Sequence, residues 1–429
     1  MSSLPPGPRL PMLVQTYLFG RYRHRWLPAL RRRYGDVFLL QIAPRRRRLV
    51  VVARPDVIRE VFSGPETRFH AGESNRALEP LMGSHSLLML DEADHLAARR
   101  RLMPAFSGAS LHGYRDLVAE ITREQIAGWP AGRPVSLHPR FQTITLEVIM
   151  RVVFGVTDQA RLATLRPLVE QVVSVGPLIM LAGYYPKLRQ YGPWRRHLEV
   201  QQRLDDLLYA EIADRRRADG IASRRDVLSR LLAAPDGNWT DEQLRDHLIT
   251  LLLAGHETTA TALAWAFHDL ARSPSVQSAA RRAADSGDDD YVTAVAKEAL
   301  RRHPVIFEVG RTLTEPTPIA GYDLPAGVSV MPAIGLVHAD PRHHAEPERF
   351  RPERFLGDDP PSSHTWLPFG GGARRCLGAG FSLMESEVIV GAVLERFEVL
   401  AASQRPESTI ARNVTLAPGD GARVILRRR

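Results

Sequence analysis

The chain has 429 residues, 44% of them apolar and 24% charged, with a formal net charge of +9. This is an ordinary globular composition, and its thirty-two prolines are dispersed, which excludes collagen-like and disordered low-complexity classes. Cys376 is the single cysteine, so an internal disulfide framework, an all-cysteine zinc site and a cysteine-held iron–sulfur cluster are excluded.

In chain order, the start MSSLPPGPRLPMLVQ has four prolines in eleven residues and lacks the basic-then-apolar layout of a signal peptide. No window reaches 18 uninterrupted apolar residues, so no transmembrane anchor is expected and the protein reads as cytoplasmic. Branched residues predict strands over 37–42 and 48–53. From about 55 to 301 the pattern is mainly helical, with predicted helices over 91–102, 111–129, 141–154 and 197–218. Thr240-Asp241-Glu242-Gln243 is a capping box that opens a helix running to about Arg272. Its middle, LITLLLAGHETTATALAWAF, is apolar on nearly every face and belongs in a core. A helix over 291–302 closes at His303-Pro304. VIFEVG reads as a strand and TPIAGYDLPAGVSVMPA as a hairpin, and a last helix follows Cys376 to about Phe397. With no repeat and no linker, this sums to one domain over 1–429, mainly α with a minor β region.

The positive charge is almost all arginine, since Lys187 and Lys297 are the only lysines. The arginines are scattered over many segments and no nucleic-acid-binding motif is present, so no nucleic-acid partner is expected.

The chemistry starts at Cys376. In FGGGARRCLG, Gly370, Gly371 and Gly372 precede the thiol and Gly378 follows it. Glycines permit tight turns and close approach to a flat ligand. A following helix N-terminus and the pair Arg374-Arg375 favour thiolate over thiol. Such a thiolate is a nucleophile or a metal ligand, and no cysteine-protease signature accompanies it. The segment resembles the haem-binding loop of the cytochrome P450 family, F-G-x-G-x-[RH]-x-C-x-G. The resemblance implies heme b (iron protoporphyrin IX) with Cys376 as axial ligand of the haem iron, Arg374 on a propionate and Phe369 packed beneath the ring. It also implies the P450 fold, a long central helix over the haem with small β-sheets.

Two further segments extend the resemblance. Ala254-Gly255-His256-Glu257-Thr258-Thr259 begins like a zinc-protease motif, but the second histidine is missing, for position 260 is Ala260. A glutamate in so apolar a helix is costly without a role. The segment is similar to the family's [AG]-G-x-[DE]-T-[TS] motif, which implies Glu257 and Thr258 as an acid–alcohol pair for proton delivery and Gly255 as the place where a groove for dioxygen widens. His256 is expected to face away. Glu298-x-x-Arg301, on one helix face, is followed by Pro352-Glu353-Arg354-Phe355. By resemblance Glu298, Arg301 and Arg354 form a buried structural triad. His95 and Arg99, one helical turn apart, and Arg311 match the family's further propionate cations.

The matches run from Leu4 to the end. The reading that follows is a soluble bacterial, actinobacterial-type haem-thiolate monooxygenase that inserts one atom of O2 into a hydrophobic small molecule. Electrons would come from a separate ferredoxin and its NAD(P)H-dependent reductase, since the chain carries no fused redox domain; a monomer is expected. Arg99, Arg100, Arg101, Arg374 and Arg375 are expected to form the ferredoxin-docking face. The substrate lining is expected at Leu87, Leu88, Met89, Leu178, Ile179, Met180, Leu252, Val305, Ile306 and Phe307, with Glu308 as a polar exception. The alternatives are a non-hydroxylating member (isomerase, dehydratase or coupling catalyst) and a haem-binding sensor without turnover.

Overall fold

The structure, a computed structural model, describes residues 4–155, 159–173, 179–234 and 238–429. They form two compact units. The first comprises Met1–Phe69, Arg115–Ile144 and Thr258–Arg429, and the second His70–Tyr114 and Thr145–Glu257.

The main sheet of the first unit is built from a hairpin. Strands Val37–Ile42 and Arg47–Val52 pair antiparallel, from Val37 opposite Val52 to Ile42 opposite Arg47. Ser329–Pro332 joins Arg47–Val52 in parallel, and Arg311–Leu313 joins Ser329–Pro332 antiparallel. The period of two along a strand explains what covers each face. Val37, Leu39, Val50 and Val52 pack with Val57, Ile58, Val61 and Phe62 of the helix Pro55–Ser63. Phe38, Leu40, Leu49 and Val51 face the other way, onto Leu27 and Leu30 of the helix Met12–Tyr34. Each such buried side chain contributes roughly 1.5–3 kcal/mol, which fixes the strand register. A second sheet places Arg423–Arg428 between Pro134–Ser136 and Phe397–Ala401.

Several expectations shift. The Pro-rich start leads straight into the helix Met12–Tyr34, which the prolines concealed. VIFEVG makes only an isolated bridge, Ile306 with Thr415. The expected hairpin is confined to Thr317–Ile319 and Tyr322–Leu324, because Ser329–Pro332 pairs with the main sheet instead.

The long helix is Asp241–Leu270. Its capping box is reciprocal: Thr240 N–H donates to Gln243 Oε1 at 3.1 Å, and Gln243 N–H to Thr240 Oγ1 at 3.2 Å. Its C-terminal end is pinned inside the first unit. Trp265 stacks on His303 at 4.0 Å and donates through Nε1 to the Leu416 carbonyl at 3.0 Å. In the second unit, helices Glu92–Leu102 and Gly192–Arg217 carry most of the remaining helical structure relevant to the motifs. Buried Arg215 there ties Asp226, Glu211 and the Phe154 carbonyl together.

Candidate active site

The thiol loop lies in the first unit. It leaves Phe369, which packs with Ala262, Leu300, Val305 and Leu383 and meets Trp366 edge-on at 5.9 Å. Gly370 and Gly372 have φ of 65° and 64°, a region that favours glycine. Gly372 is also required by space: a Cβ there would lie 1.7 Å from the Phe62 carbonyl oxygen. The turn closes where Cys376 N–H donates to the Phe369 carbonyl at 2.9 Å. The helix Ala379–Arg396 begins three residues later.

Cys376 is exposed, whereas a free cysteine ordinarily ranks among the most buried residue types. A sulfur that ligates an added group has to stand clear of the core in this way. Among the described residues no cluster of three or more His, Cys, Asp or Glu could hold a bare ion. These features fit the expected haem. Arg311 is buried with its guanidinium 5.5 Å from the Phe62 ring and Nη1 donating to the Gly310 carbonyl at 2.8 Å. Phe62 thus abuts both Arg311 and the thiol loop. Arg374 is nearly buried, with Nε 3.6 Å from Glu66 Oε1.

On the long helix, Leu252, Leu253, His256, Thr259 and Ala260 are buried, but Ala254 is exposed and Leu251, Gly255 and Thr258 are partly so. Positions 251, 254, 255 and 258 make one uncovered stripe on an otherwise buried helix. Glu257 is also partly exposed. Gly255 lies close to a neighbouring helix: a Cβ there would come within 2.9 Å of Ile149 Cδ1. His256 does face away from the stripe. Its Nδ1 lies 3.3 Å from Thr145 Oγ1, that hydroxyl donates to the His256 carbonyl at 3.0 Å, and burial lowers its pKa to about 4, leaving a neutral brace.

One buried acid escaped the sequence reading. Glu385, on the helix after Cys376, is 1% exposed, and burial pushes its carboxyl well above the usual carboxylate range while the Thr259 hydroxyl pulls only partly the other way. Thr259 Oγ1 in turn lies 3.2 Å from Ser382 Oγ. The signal was its phase, four residues after buried Phe381 and four before buried Ile389. An acid whose pKa is higher folded than unfolded makes the fold lose stability as pH rises from the unfolded value through the folded one. Glu385→Gln has no proton to lose. It is expected to raise the melting temperature by roughly 1–4 °C near pH 8 and leave it unchanged near pH 4, by circular dichroism.

Glu298, Arg301 and Arg354 meet in the first unit. Arg301 donates Nε and Nη2 to the fully buried Glu298 carboxylate at 2.8 and 2.9 Å, and Arg354 Nε lies 2.9 Å from Oε2. Arg301 Nη1 also donates to the His338 carbonyl at 3.0 Å, and His338 Nε2 accepts Leu367 N–H at 2.8 Å. Burial holds the His338 pKa well below its ordinary value, so the ring is neutral and able to accept. The cluster is thereby bonded to the residue two before Phe369.

His95 and Arg99 sit in the second unit on Glu92–Leu102, His95 buried and Arg99 half-buried. Of the arginines expected to dock a ferredoxin, only Arg100 and Arg375 are exposed. Arg101 lies over the Trp239 ring at 3.7 Å and Arg374 turns to Glu66, so both direct their charge inside the protein. Among the expected lining residues, Leu252 and Phe307 are core: Leu252 is 1% exposed, and Phe307 fills the space beside Gly335. Leu88, Met89, Ile179 and Ile306 are half-buried, while Leu87 and Val305 are buried. Leu178 and the side chain of Met180 lie outside the described residues. Glu308 turns to Arg23, at 3.4 Å, in a nearly buried pair.

The profile of one family, described as Cytochrome P450, matches residues 4–422. A Mycobacterium tuberculosis protein provisionally named cytochrome P450 135A1 is 46% identical, with 99% of this chain and 95% of that protein aligned. A Mycobacterium bovis protein provisionally named cytochrome P450 135B1 is 45% identical over 99% of this chain and 91% of its own length. A solved structure, retinoic acid bound cyanobacterial CYP120A1, superimposes with a TM-score of 0.87 over 100% of both chains at 24% identity.

Proposed function

The chain belongs to the cytochrome P450 family, and from that premise we propose a haem-thiolate monooxygenase that inserts one atom of O2 into a hydrophobic small molecule. The observation that carries this reading is the exposed Cys376 at the end of a glycine-enforced turn, just before a helix N-terminus. Haem, when bound, supplies the redox centre at which dioxygen is reduced. The sulfur of Cys376 would be its protein ligand, favoured as thiolate by the helix N-terminus and the neighbouring arginines. Arg311, Arg374, His95 and Arg99 would hold the propionates, and Phe369 would pack near the sulfur. Ala254 and Gly255 would also lie against the group. Electrons come from a ferredoxin with its NAD(P)H-dependent reductase in the cytoplasm, and Arg100 and Arg375 are the exposed arginines assigned to steer that acidic partner.

Glu257 and Thr258 move protons. The Glu257 carboxylate would take a proton from solvent and pass it toward Thr258 Oγ1, whose hydroxyl would orient a water for proton delivery. Thr258→Ala removes that hydroxyl without enlarging a side chain. It is expected to keep the haem content while product formed per NAD(P)H falls at least about tenfold and hydrogen peroxide rises in its place. Coupling equal to that of the unaltered enzyme would sink the proton-delivery role. A sensor without turnover would show no product in either protein.

A further inference from the structure

The net charge of this chain is concentrated at one end. Residues 1–55 carry twelve arginines, no lysine and one acidic residue, Asp36, a net of +11. The whole chain stands at +9, so residues 56–429 sum to −2. Arginine is denser here than in the rest of the chain, and the acids paired with Arg23, Arg31 and Arg54 come largely from outside the stretch, at Glu308, Asp340 and Asp56.

The same stretch displays apolar side chains to solvent. Among the described residues nine large apolar side chains are exposed, and four of them are Leu10, Leu13, Val14 and Tyr17, at 42%, 70%, 41% and 61%. Leu13, Val14 and Tyr17 share one face at the start of Met12–Tyr34, and Leu10 lies just before that helix. The opposite face is buried at Gln15, so the helix is turned with an apolar stripe outward. Arg21 follows Tyr17 by one turn, before the helix departs from helical geometry at Tyr22.

The basic residues sit on a hairpin packed against the same stretch of helix. The turn of the Val37–Ile42/Arg47–Val52 hairpin is tied to the helix beside it: Ala43 N–H donates to Thr16 Oγ1 at 2.8 Å and Gln41 N–H to Gln15 Oε1 at 3.0 Å. That turn carries Arg45 and Arg46, and Arg47 and Arg48 open the strand after it; with Gln41 and Gly327 they line a cleft of about 400 Å³. Arg45 and Arg46 have φ of 62° and 52°, where glycine or asparagine is the ordinary choice. Long cations thus occupy strained positions that neutral residues would fill more easily.

We propose that this surface, the outward stripe of the first helix together with the arginine hairpin, docks peripherally on a bilayer rich in anionic phospholipid. The stripe enters the headgroup–acyl boundary, Tyr17 sits at its polar edge, and the hairpin arginines hold lipid phosphates. A helix with an apolar face bordered by arginine is the layout of an in-plane interfacial helix, and an anionic leaflet supplies the counter-charge. Nucleic acid offers the phosphates but no medium for four apolar side chains. An acidic protein offers the charge without an apolar phase. No helix among the described residues is long and apolar enough to cross the membrane, so the contact is with its surface.

Co-sedimentation of the full chain with vesicles tests this. An equal mixture of phosphatidylglycerol and phosphatidylcholine should bind at least tenfold more tightly than phosphatidylcholine alone. The triple variant Arg45→Gln, Arg46→Gln, Arg48→Gln should lose at least tenfold. The control triple Arg196→Gln, Arg203→Gln, Arg217→Gln removes the same charge from another helix and should lose less than twofold. Leu13→Gln with Tyr17→Gln should also lose at least fivefold. Equal losses in the two arginine triples would overturn the proposal by reducing the binding to net charge, and unaltered binding in the Leu13/Tyr17 variant would overturn the insertion. Tighter binding to duplex DNA than to the mixed vesicles would make the surface a general polyanion site and equally overturn it. Hydrogen exchange on the unaltered chain needs no variant: amides of residues 12–20 should slow on the mixed vesicles and not on phosphatidylcholine, and no change on either would end the idea.

Discussion

Cys376→Ser is expected to abolish the strongly red-shifted Soret band of the reduced, carbon monoxide-bound protein. Turnover should fall at least about a thousandfold, the kinetic equal of roughly 4 kcal/mol in the barrier. The substitution exchanges one atom in an exposed side chain. The bond that closes the turn runs from the backbone N–H of residue 376 to the Phe369 carbonyl and is untouched. Gly370 and Gly372 keep their left-handed conformations whichever side chain follows. The fold should therefore survive. What is lost is a soft anionic ligand, because a helix N-terminus and two arginines can ionise a thiol but fall far short of ionising an aliphatic hydroxyl. Electron density from sulfur is what distinguishes thiolate-ligated haem. The check is a pair of measurements on one preparation: the ferrous–carbon monoxide spectrum and the far-ultraviolet melting curve. A lost band with an unshifted melt is the expected result. A retained band would show that the sulfur is not the ligand and remove the basis of the proposed function.

Some elements of the fold are legible in the sequence and others are hidden in it. The capping box at Thr240 and the strand Val37–Ile42 could be read because local chemistry and tertiary packing ask for the same residues there. The helix Met12–Tyr34 was hidden because Pro5, Pro6, Pro8 and Pro11 suppress a helical reading that Pro11, directly before the first helical residue, accommodates. VIFEVG has the composition of a strand, yet Phe307 is taken up by the core beside Gly335 and Glu308 by Arg23. Composition reports preference for an extended backbone and says nothing of which partner strand is within reach. The site residues follow the same division. Cys376 and its glycines declare themselves by spacing. Glu385 and His338 do not, since a buried acid or imidazole is marked only by the phase of its helix or by a partner far off in sequence, as Leu367 is for His338.

Glu298→Ala should have the largest effect on the fold itself. The Glu298 carboxylate is 0% exposed, accepts from Arg301 twice and from the Arg351 N–H at 3.1 Å, and pairs with Arg354 Nε at 2.9 Å. Removing it leaves two nearly buried guanidinium groups facing each other without the anion between them. Breaking a buried pair in this way costs about 3–5 kcal/mol, a large share of the roughly 5–15 kcal/mol by which domains are stable. The loss also propagates. Arg301 anchors the His338 carbonyl, and His338 holds Leu367, two residues before Phe369. The variant is therefore expected to unfold at markedly lower urea and to take up little haem even where it stays folded. Glu298→Gln separates charge from shape. It retains one acceptor oxygen and the volume, so its urea midpoint should fall between those of the unaltered protein and Glu298→Ala. Arg301→Lys tests geometry at constant charge, because an ammonium cannot make the two-pronged contact to the carboxylate and also reach the His338 carbonyl. If Glu298→Ala matched the unaltered protein in midpoint and haem content, the cluster would be incidental to the scaffold and the path from it to the thiol loop would have no energetic weight.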